Sequence, residues 1–223
     1  DAVQVLADEA RRPAAWLVHY STDYIFDGTK AAPYVEDDPP GPISVYGQTK
    51  LEGEHAARAH HGRHLIFRTS WVYAAQGNNF PKTMLKLAKT REELRVICDQ
   101  RGAPTSAELL ADVTALALYR IRIDPAAAHS IAGTYHLVSG GDTTWHEYAQ
   151  FVIARALEKG AALKTTVENV VAIPTEAYPL PAARPKNSRL DTSKLRETFK
   201  IQLPHWRDQV TRLIDELAYQ DAL

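Results

Sequence analysis

The chain is short of several things that decide function classes. Cys98 is its only cysteine, which excludes an internal disulfide and fits a reducing compartment. No apolar run reaches the roughly 20 residues that span a bilayer, and nothing reads as a secretory leader, so a soluble cytoplasmic protein is expected. An excess of one charge is missing too. Lys and Arg total 26 against 27 Asp and Glu, a net of −1, so there is no general attraction for nucleic acid or an anionic membrane. An anionic ligand must be met by local positive charge. No repeat or low-complexity tract breaks the 223 residues. The most telling shortage is of glycine in one pattern. None of the 11 glycines forms the G-x-x-G-x-x-G turn that brings backbone amides to a dinucleotide pyrophosphate at a helix start. Gly140-Gly141 comes too late in the chain and follows the wrong element.

What is present alternates between helical and strand-like spacing. Val3, Leu6, Ala7 and Ala10 predict a helix before Pro13, and Trp16–Tyr20 a short buried strand. A long loop leads to a helix from Tyr46 to about His60, and His64–Arg68 fits a parallel strand, giving a βαβ-like unit. Pro81 suits the first turn of a helix over Lys82–Lys89, and Arg95–Cys98 reads as a strand. Thr105 or Ser106 can cap a helix to about Arg122, Thr134–Val138 reads as a strand, and Thr143 or Thr144 can cap a helix to Lys159. Trp206, Val210, Leu213, Ile214 and Leu217 mark a final amphipathic helix. The fold class is α/β with a parallel sheet, with too few strands for a complete dinucleotide-binding domain and a sheet truncated on its N-terminal side. Ligands bind at the carboxyl ends of such strands, where Ser21-Thr22-Asp23 and Thr69-Ser70-Trp71 fall. Ala31–Pro42 and Pro174–Pro185 read as proline-rich ordered loops.

The chemistry begins with Tyr46 and Lys50, one helical turn apart on the same face. A free phenol titrates near 10, and a close ammonium lowers that by favouring the phenolate, tuning tyrosine as a general acid or base. Thr22 or Ser21 can hydrogen-bond the same substrate oxygen and support charge where it develops. A bare Y-x-x-x-K is more often an ordinary exposed helix pair, so its neighbours decide.

Those neighbours are Ser21-Thr22-Asp23-Tyr24-Ile25-Phe26-Asp27-Gly28, Tyr46-Gly47-Gln48-Thr49-Lys50-Leu51-Glu52-Gly53-Glu54 and Arg68-Thr69-Ser70-Trp71-Val72-Tyr73. With Gly77-Asn78-Asn79-Phe80, Asp99-Gln100-Arg101-Gly102-Ala103-Pro104-Thr105 and Arg184-Pro185-Lys186-Asn187-Ser188-Arg189-Leu190-Asp191, they span nearly the whole chain. Together they resemble the extended short-chain dehydrogenase/reductases, and within them the dTDP-4-dehydrorhamnose reductase family. The resemblance implies a partial Rossmann-type core over 1–73 and 106–140 and a smaller substrate-binding lobe over 74–105 and 141–223. It implies NADPH as hydride donor and a dTDP-sugar substrate, with reduction of the C4 ketone of dTDP-4-dehydro-L-rhamnose as the expected reaction. Thr22, Tyr46 and Lys50 are then the catalytic residues. Ser21, Thr69 and Ser70 join Tyr46 and Lys50 at the cofactor, and Asp23, Tyr24, Trp71, Asn78, Arg101 and Arg184 meet the substrate. Related nucleotide-sugar dehydratases carry a glutamate after Thr-Asp, and Tyr24 in its place favours simple ketone reduction. Two alternatives stay open: another nucleotide-sugar reductase or epimerase, and a non-catalytic regulatory subunit of the methionine adenosyltransferase type.

The remaining polar residues are more evenly balanced. Asn78 and Asn79 are either substrate contacts or turn residues beside Gly77. Arg101 and Arg184 offer the paired donors that a diphosphate matches, with Arg184 the stronger choice and Lys186 and Arg189 as auxiliary charge. His60-His61, with His55 and His64, lacks the partner spacing of a metal site. Cys98 reads as a small buried hydrophobe, Trp16, Trp145 and Trp206 as core, and Glu36-Asp37-Asp38 as a solvated run. Some family members use magnesium at a subunit contact, but no residue here is assigned to it. The missing glycine turn and the helical pattern at Asp1 are expected of a fragment of a longer enzyme, with weak or no NADPH binding on its own. Its uncovered sheet edge is expected to be covered by another copy, as a homo-oligomer, or by a lattice contact.

Overall fold

The computed structural model describes residues 2–60, 62–124, 126, 128–179, 182–220 and 223. Asp1, His61 of the histidine cluster, and Leu180 and Pro181 of the second proline-rich loop lie outside them. In chain order the elements are α1 (Ala2–Arg11), β1 (Leu17–Thr22), α2 (Val45–His60), β2 (His64–Thr69), β3 (Val72–Tyr73), α3 (Phe80–Ala88), β4 (Leu94–Ile97), β5 (Arg101–Gly102), β6 (Thr105–Ser106), α4 (Ala107–Ile123), α5 (Ala128–Ile131), β7 (Gly133–His136), β8 (Thr143–Thr144), α6 (Trp145–Glu158), β9 (Val170–Ile173), α7 (Ser193–Phe199) and α8 (Trp206–Tyr219). Short 3₁₀ turns occupy Asp23–Ile25 and Thr175–Ala177. No helix among the described residues is long and apolar enough to cross a membrane.

The chain divides into two compact units. The first comprises residues 1–70, 110–138 and 182–203. Its centre is a parallel sheet in the order β1-β2-β7, with Ser21 beside Arg68 and Thr22 beside Thr69. Leu65, Ile66 and Phe67 of β2 are fully buried, as expected of a central parallel strand covered on both faces. On α1, Ala7 is buried, whereas Val5 and Leu6 are exposed, so the inward stripe is narrower than the apolar spacing predicts.

The second unit comprises residues 71–109, 139–181 and 204–223. Here β4 pairs in parallel with β9, β3 in parallel with β6, and β5 antiparallel with β8. The core joins Met84 and Leu85 of α3, Tyr148, Val152 and Ile153 of α6, and Trp206, Val210, Leu213 and Ile214 of α8. Local signals set these helices as predicted. Thr144 accepts from the Glu147 amide and Glu147 reaches back to the Thr144 amide, a reciprocal cap. The Ser106 hydroxyl accepts from the Leu109 amide, and Pro81 sits in the first turn of α3.

One stretch departs from the expected division. Residues 182–203, expected in the lobe, pack within the first unit. Tyr34 bridges Leu190, Asn187 donates to the carbonyls of Lys30 and Ala32, and His136 Nδ1 lies 3.1 Å from the Asp191 carbonyl. Gly28, at φ +79°, allows this approach, since a Cβ there would stand 2.5 Å from Pro185 Cβ.

Candidate active site

In the first unit, β1 ends in a turn that its own side chains stabilise. The Thr22 hydroxyl accepts from the Tyr24 amide at 3.2 Å and donates to Asp23 Oδ1 at 3.0 Å, capping the 3₁₀ turn. Burial raises the Asp23 carboxyl to about 6, against the pull of the Ser188 and Thr22 hydroxyls. The Tyr24 phenol is pushed up to about 12 by burial and the Asp23 charge, and Arg184 pulls it the other way.

Helix α2 starts against this turn because Gly47 has no side chain. A Cβ there would lie 2.1 Å from the Tyr24 carbonyl oxygen and 3.0 Å from Pro42 Cβ. This close approach sets the Tyr46 ring edge-on to Tyr24, with centroids 5.9 Å apart. Tyr46 is 54 % exposed, open to a reactant. One turn on, Lys50 Nζ donates to the Tyr20 carbonyl at 2.5 Å, tying α2 to β1. Burial lowers the Lys50 pKa and the Glu54 carboxylate opposes that. The structure therefore gathers Thr22, Asp23, Tyr24, Tyr46 and Arg184 around the end of β1, with Lys50 held at its backbone.

Behind Lys50 lies a network of buried charge. Glu54, fully buried, accepts from Arg68 Nε at 3.0 Å and Arg68 Nη2 at 2.8 Å, and from Arg58 Nη2 at 2.6 Å. Arg68 also donates to the Glu36 carbonyl and lies over the Phe26 ring. Burial would raise Glu54, but Arg68, Ser21 and Arg58 hold it below the ordinary carboxylate value. Burial and the Arg68 charge push His136 down to about 3. Ser21 and Thr69, expected at the cofactor, are buried at neighbouring strand ends. The Thr69 hydroxyl has no hydrogen-bond partner among the described residues, which fits a group that accepts or donates at a ribose. The acidic run is not simply solvated. Glu36 accepts from the His136 amide, Asp38 pairs with Lys30, and only Asp37 is exposed. Arg189 donates to Asn187 and the Ala31 carbonyl, neutral acceptors that hold its guanidinium in place without cancelling its charge.

In the second unit, Trp71 adopts φ +49°, and its indole stacks on Trp145 at 3.5 Å and 12°. Gly102 makes room, because a Cβ there would stand 2.6 Å from Trp71 Cε2. Trp145 is partly buried and packs against the core of the second unit as expected while stacking on Trp71, and Trp206 is buried as expected. Arg101 forks onto Asp142 at 2.9 and 2.6 Å, which occupies the donors a diphosphate would need. Asn79 caps α3 by accepting from the Lys82 amide and donates to the Ala74 carbonyl, so it is a turn residue. Asn78 is exposed. Cys98 is half-buried rather than a core hydrophobe, and no metal-holding cluster of His, Cys, Asp or Glu occurs among the described residues.

The RmlD substrate binding domain model matches residues 1–219. The chain belongs to this family. It is 53% identical over 215 residues to dTDP-4-dehydrorhamnose reductase of Shigella flexneri, a match covering 96% of this chain and 70% of that protein. Among solved structures, the dTDP-4-dehydrorhamnose reductase of Bacillus anthracis in complex with NADP superposes with TM-score 0.81 at 35% identity, over 96% of this chain and 70% of that one. The Clostridium acetobutylicum relative gives 0.83 at 36%, with the same coverage. The Rossmann-type α/β class expected from the motifs is thereby shown for this RmlD-family chain.

The family motifs were visible in the sequence; the Glu54–Arg68–Arg58 network was not. Glu54 stands four residues beyond Lys50, as Lys50 does beyond Tyr46, and that spacing was the signal available.

Proposed function

We propose that this chain carries the proton-delivery machinery of a soluble, cytoplasmic, NADPH-dependent reductase. Its reaction converts the C4 ketone of dTDP-4-dehydro-L-rhamnose to the alcohol of dTDP-L-rhamnose. The observation that carries the reading is the approach of α2 to the end of β1 at Gly47, which sets Tyr46 beside the Thr22–Tyr24 turn.

NADPH, when bound, supplies the hydride. Tyr46 gives its phenolic proton to the ketone oxygen as negative charge builds there, a general-acid step of the kind worth about 10²–10⁴-fold. Lys50, cationic and anchored to the Tyr20 carbonyl, stabilises the phenolate left behind and would hold the nicotinamide ribose. Thr22 fixes the ketone oxygen by turning its one hydroxyl proton from Asp23, to which it donates in the free site, toward that oxygen, while the Tyr24 amide keeps hold of the hydroxyl. Ser21, Thr69 and Ser70 line the cofactor side. In the first unit Asp23 and Tyr24 are the contacts for the sugar nucleotide, and Arg184 is the first cation for its diphosphate.

Tyr46→Phe in the enzyme, assayed with NADPH and dTDP-4-dehydro-L-rhamnose, should lose turnover at least about 100-fold while calorimetric dTDP binding is retained. Undiminished turnover would remove Tyr46 from its role. A panel of sugar nucleotides separates this substrate from those of related reductases and epimerases.

A further inference from the structure

Thr22 has one proton to give and two groups that claim it. Its hydroxyl lies 3.0 Å from Asp23 Oδ1, a separation that a proton from either side can bridge, and it accepts from the Tyr24 amide at 3.2 Å. While it donates to an Asp23 carboxylate it cannot also donate to a ketone. The surroundings of Asp23 decide which partner yields. Asp23 is 3% exposed, and its Oδ2 is shut away without a hydrogen-bond partner among the described residues. The groups that act on the carboxyl most are the Ser188 and Thr22 hydroxyls and the Asp23 and Tyr24 amides, none of them a cation. Ser188 does so without closing a hydrogen bond to Oδ2. Of the charged and titratable groups nearby, Arg184 acts on the Tyr24 phenol, Tyr46 faces the Tyr24 ring, and Lys50 is held at the Tyr20 carbonyl. A carboxylate buried with one oxygen unpaired and no cation beside it is unfavourable, and taking up a proton relieves it.

We propose that Asp23 is a positioning residue for the Thr22 hydroxyl: as the neutral acid it donates to Thr22 Oγ1 and releases the Thr22 proton to the ketone oxygen, whereas as the carboxylate it keeps that proton. The proposal rests on the reductase reading for its consequence in turnover, but the hydrogen bond between Asp23 and Thr22 stands on this chain alone. In the neutral form the turn is matched. Thr22 Oγ1 accepts from the Tyr24 amide and from the Asp23 O–H, which fills its two lone pairs, and its single O–H is free for the reactant. The unpaired Oδ2 is then a neutral carbonyl oxygen, far less unfavourable to bury than a charged one. No covalent bond to Asp23 or Thr22 changes, and the proton delivered to the ketone still comes from Tyr46. The carboxyl titrates at about 6 in the chain without ligand, and a bound sugar that displaces water from the turn moves it higher. The neutral acid is the active form, so its effect is present at low pH and is lost as pH rises through that midpoint.

In the enzyme, kcat should fall about tenfold between about pH 5 and about pH 8, because a charged acceptor holds the Thr22 proton more strongly than a neutral one. Asp23→Asn, which keeps a neutral donor at every pH, should lose this fall when scaled to its own low-pH rate, whatever it does to sugar binding. Thr22→Val should be slower throughout and lose the fall too, since no hydroxyl proton is left to share, while Thr22→Ser keeps it. A wild-type profile without the fall, or a fall that survives Asp23→Asn, overturns the proposal. So does a fall that survives Thr22→Val, which would mean that the Asp23 charge acts on the reactant directly. Thr22→Ala takes the place of Thr22→Val if the latter does not fold. An infrared difference against Asp23→Asn at about pH 4, taken with Thr22 and with Val at that position, reads the hydrogen bond without turnover. The C=O band of the protonated Asp23 carboxyl should move to higher frequency in Thr22→Val, where its O–H has lost an acceptor, and an unmoved band ends the proposal. A moved band in an enzyme that fails to oxidise NADPH would support the proposal and count against the reductase reading only.

Discussion

Gly47 offers the sharpest perturbation of the site, because a single added carbon strikes backbone. In Gly47→Ala the new Cβ would lie 2.1 Å from the Tyr24 carbonyl oxygen and 2.9 Å from its carbonyl carbon, where ordinary contact begins near 3.4 Å. A flexible side chain could swing aside; a carbonyl in a capped 3₁₀ turn cannot. The start of α2 must retreat by about 1 Å, and overpacking of this sort costs about 1–3 kcal/mol. Alanine regains about 1 kcal/mol of helix propensity, so the raw effect understates the clash. Gly53→Ala in the same helix supplies the control. Its Cβ would meet Val3 Cγ2 at 3.2 Å and His19 Nε2 at 3.3 Å, side-chain atoms that can give by a few tenths of an ångström, and it gains the same propensity. Neither glycine has positive φ, so backbone strain does not separate them. The two variants should differ by about 2–3 kcal/mol, or roughly 5–10 °C in thermal midpoint for a chain of this size, with Gly47→Ala the less stable. Turnover of the enzyme should fall about 100-fold in Gly47→Ala alone, the usual consequence of misplacing a catalytic group by about 1 Å. Equal midpoints, or full turnover in Gly47→Ala, would refute the argument that contact with Tyr24 sets Tyr46 in place.

Two further changes probe each unit separately. The folded Asp23 carboxyl keeps its proton up to about 6, whereas a free aspartate carboxyl releases it near 3.8. The native state therefore loses stability as pH rises through that window, by up to about 3 kcal/mol. Asp23→Asn removes this dependence, so urea midpoints should favour the variant at pH 7 by more than at pH 4, and a difference that does not change with pH would contradict the assignment. Gly102→Ala would place a Cβ 2.6 Å from Trp71 Cε2 and force the indole off Trp145. The near-ultraviolet dichroism of the stacked pair should weaken, and an unchanged spectrum would show that the pair tolerates the carbon.

What was legible in the sequence were features whose cause is local. Thr144 and Glu147 announce a cap within three residues, Pro81 marks a first turn, and Leu65-Ile66-Phe67 is apolar because that strand is covered on both faces. Features that depend on distant partners were not. Arg101 reads as free until Asp142, 41 residues later in the chain, takes its guanidinium. Glu36 and Asp38 read as solvated until His136 and Lys30 meet them. Residues 182–203 show no periodicity that ties them to the first unit; side-chain amide and carbonyl contacts to Lys30, Ala32 and Tyr34 do so instead. Strand β9 is not legible in the sequence because four residues beside a proline-rich loop carry little pattern, and its pairing with β4 supplies the order.

The Tyr46-to-Glu54 stretch joins the two kinds of information. As a helix it is poor, since Gly47 and Gly53 each cost about 1 kcal/mol against alanine, and nothing in local propensity accounts for either. Tertiary contact accounts for both: Gly47 lets the helix meet the Tyr24 carbonyl, and Gly53 lets it pass Val3 and His19. Glu54 follows the same logic. A charged residue at a fully buried helix position is unfavourable unless its partners arrive from elsewhere, and they do, from Arg68 on β2 and Arg58 one turn on. Tyr46 and Lys50 thus sit on a segment whose three locally unfavourable residues all serve to fix where it lies. A tyrosine–lysine pair on an ordinary exposed helix needs none of them, and that is the physical difference between this pair and the common surface pattern it resembles.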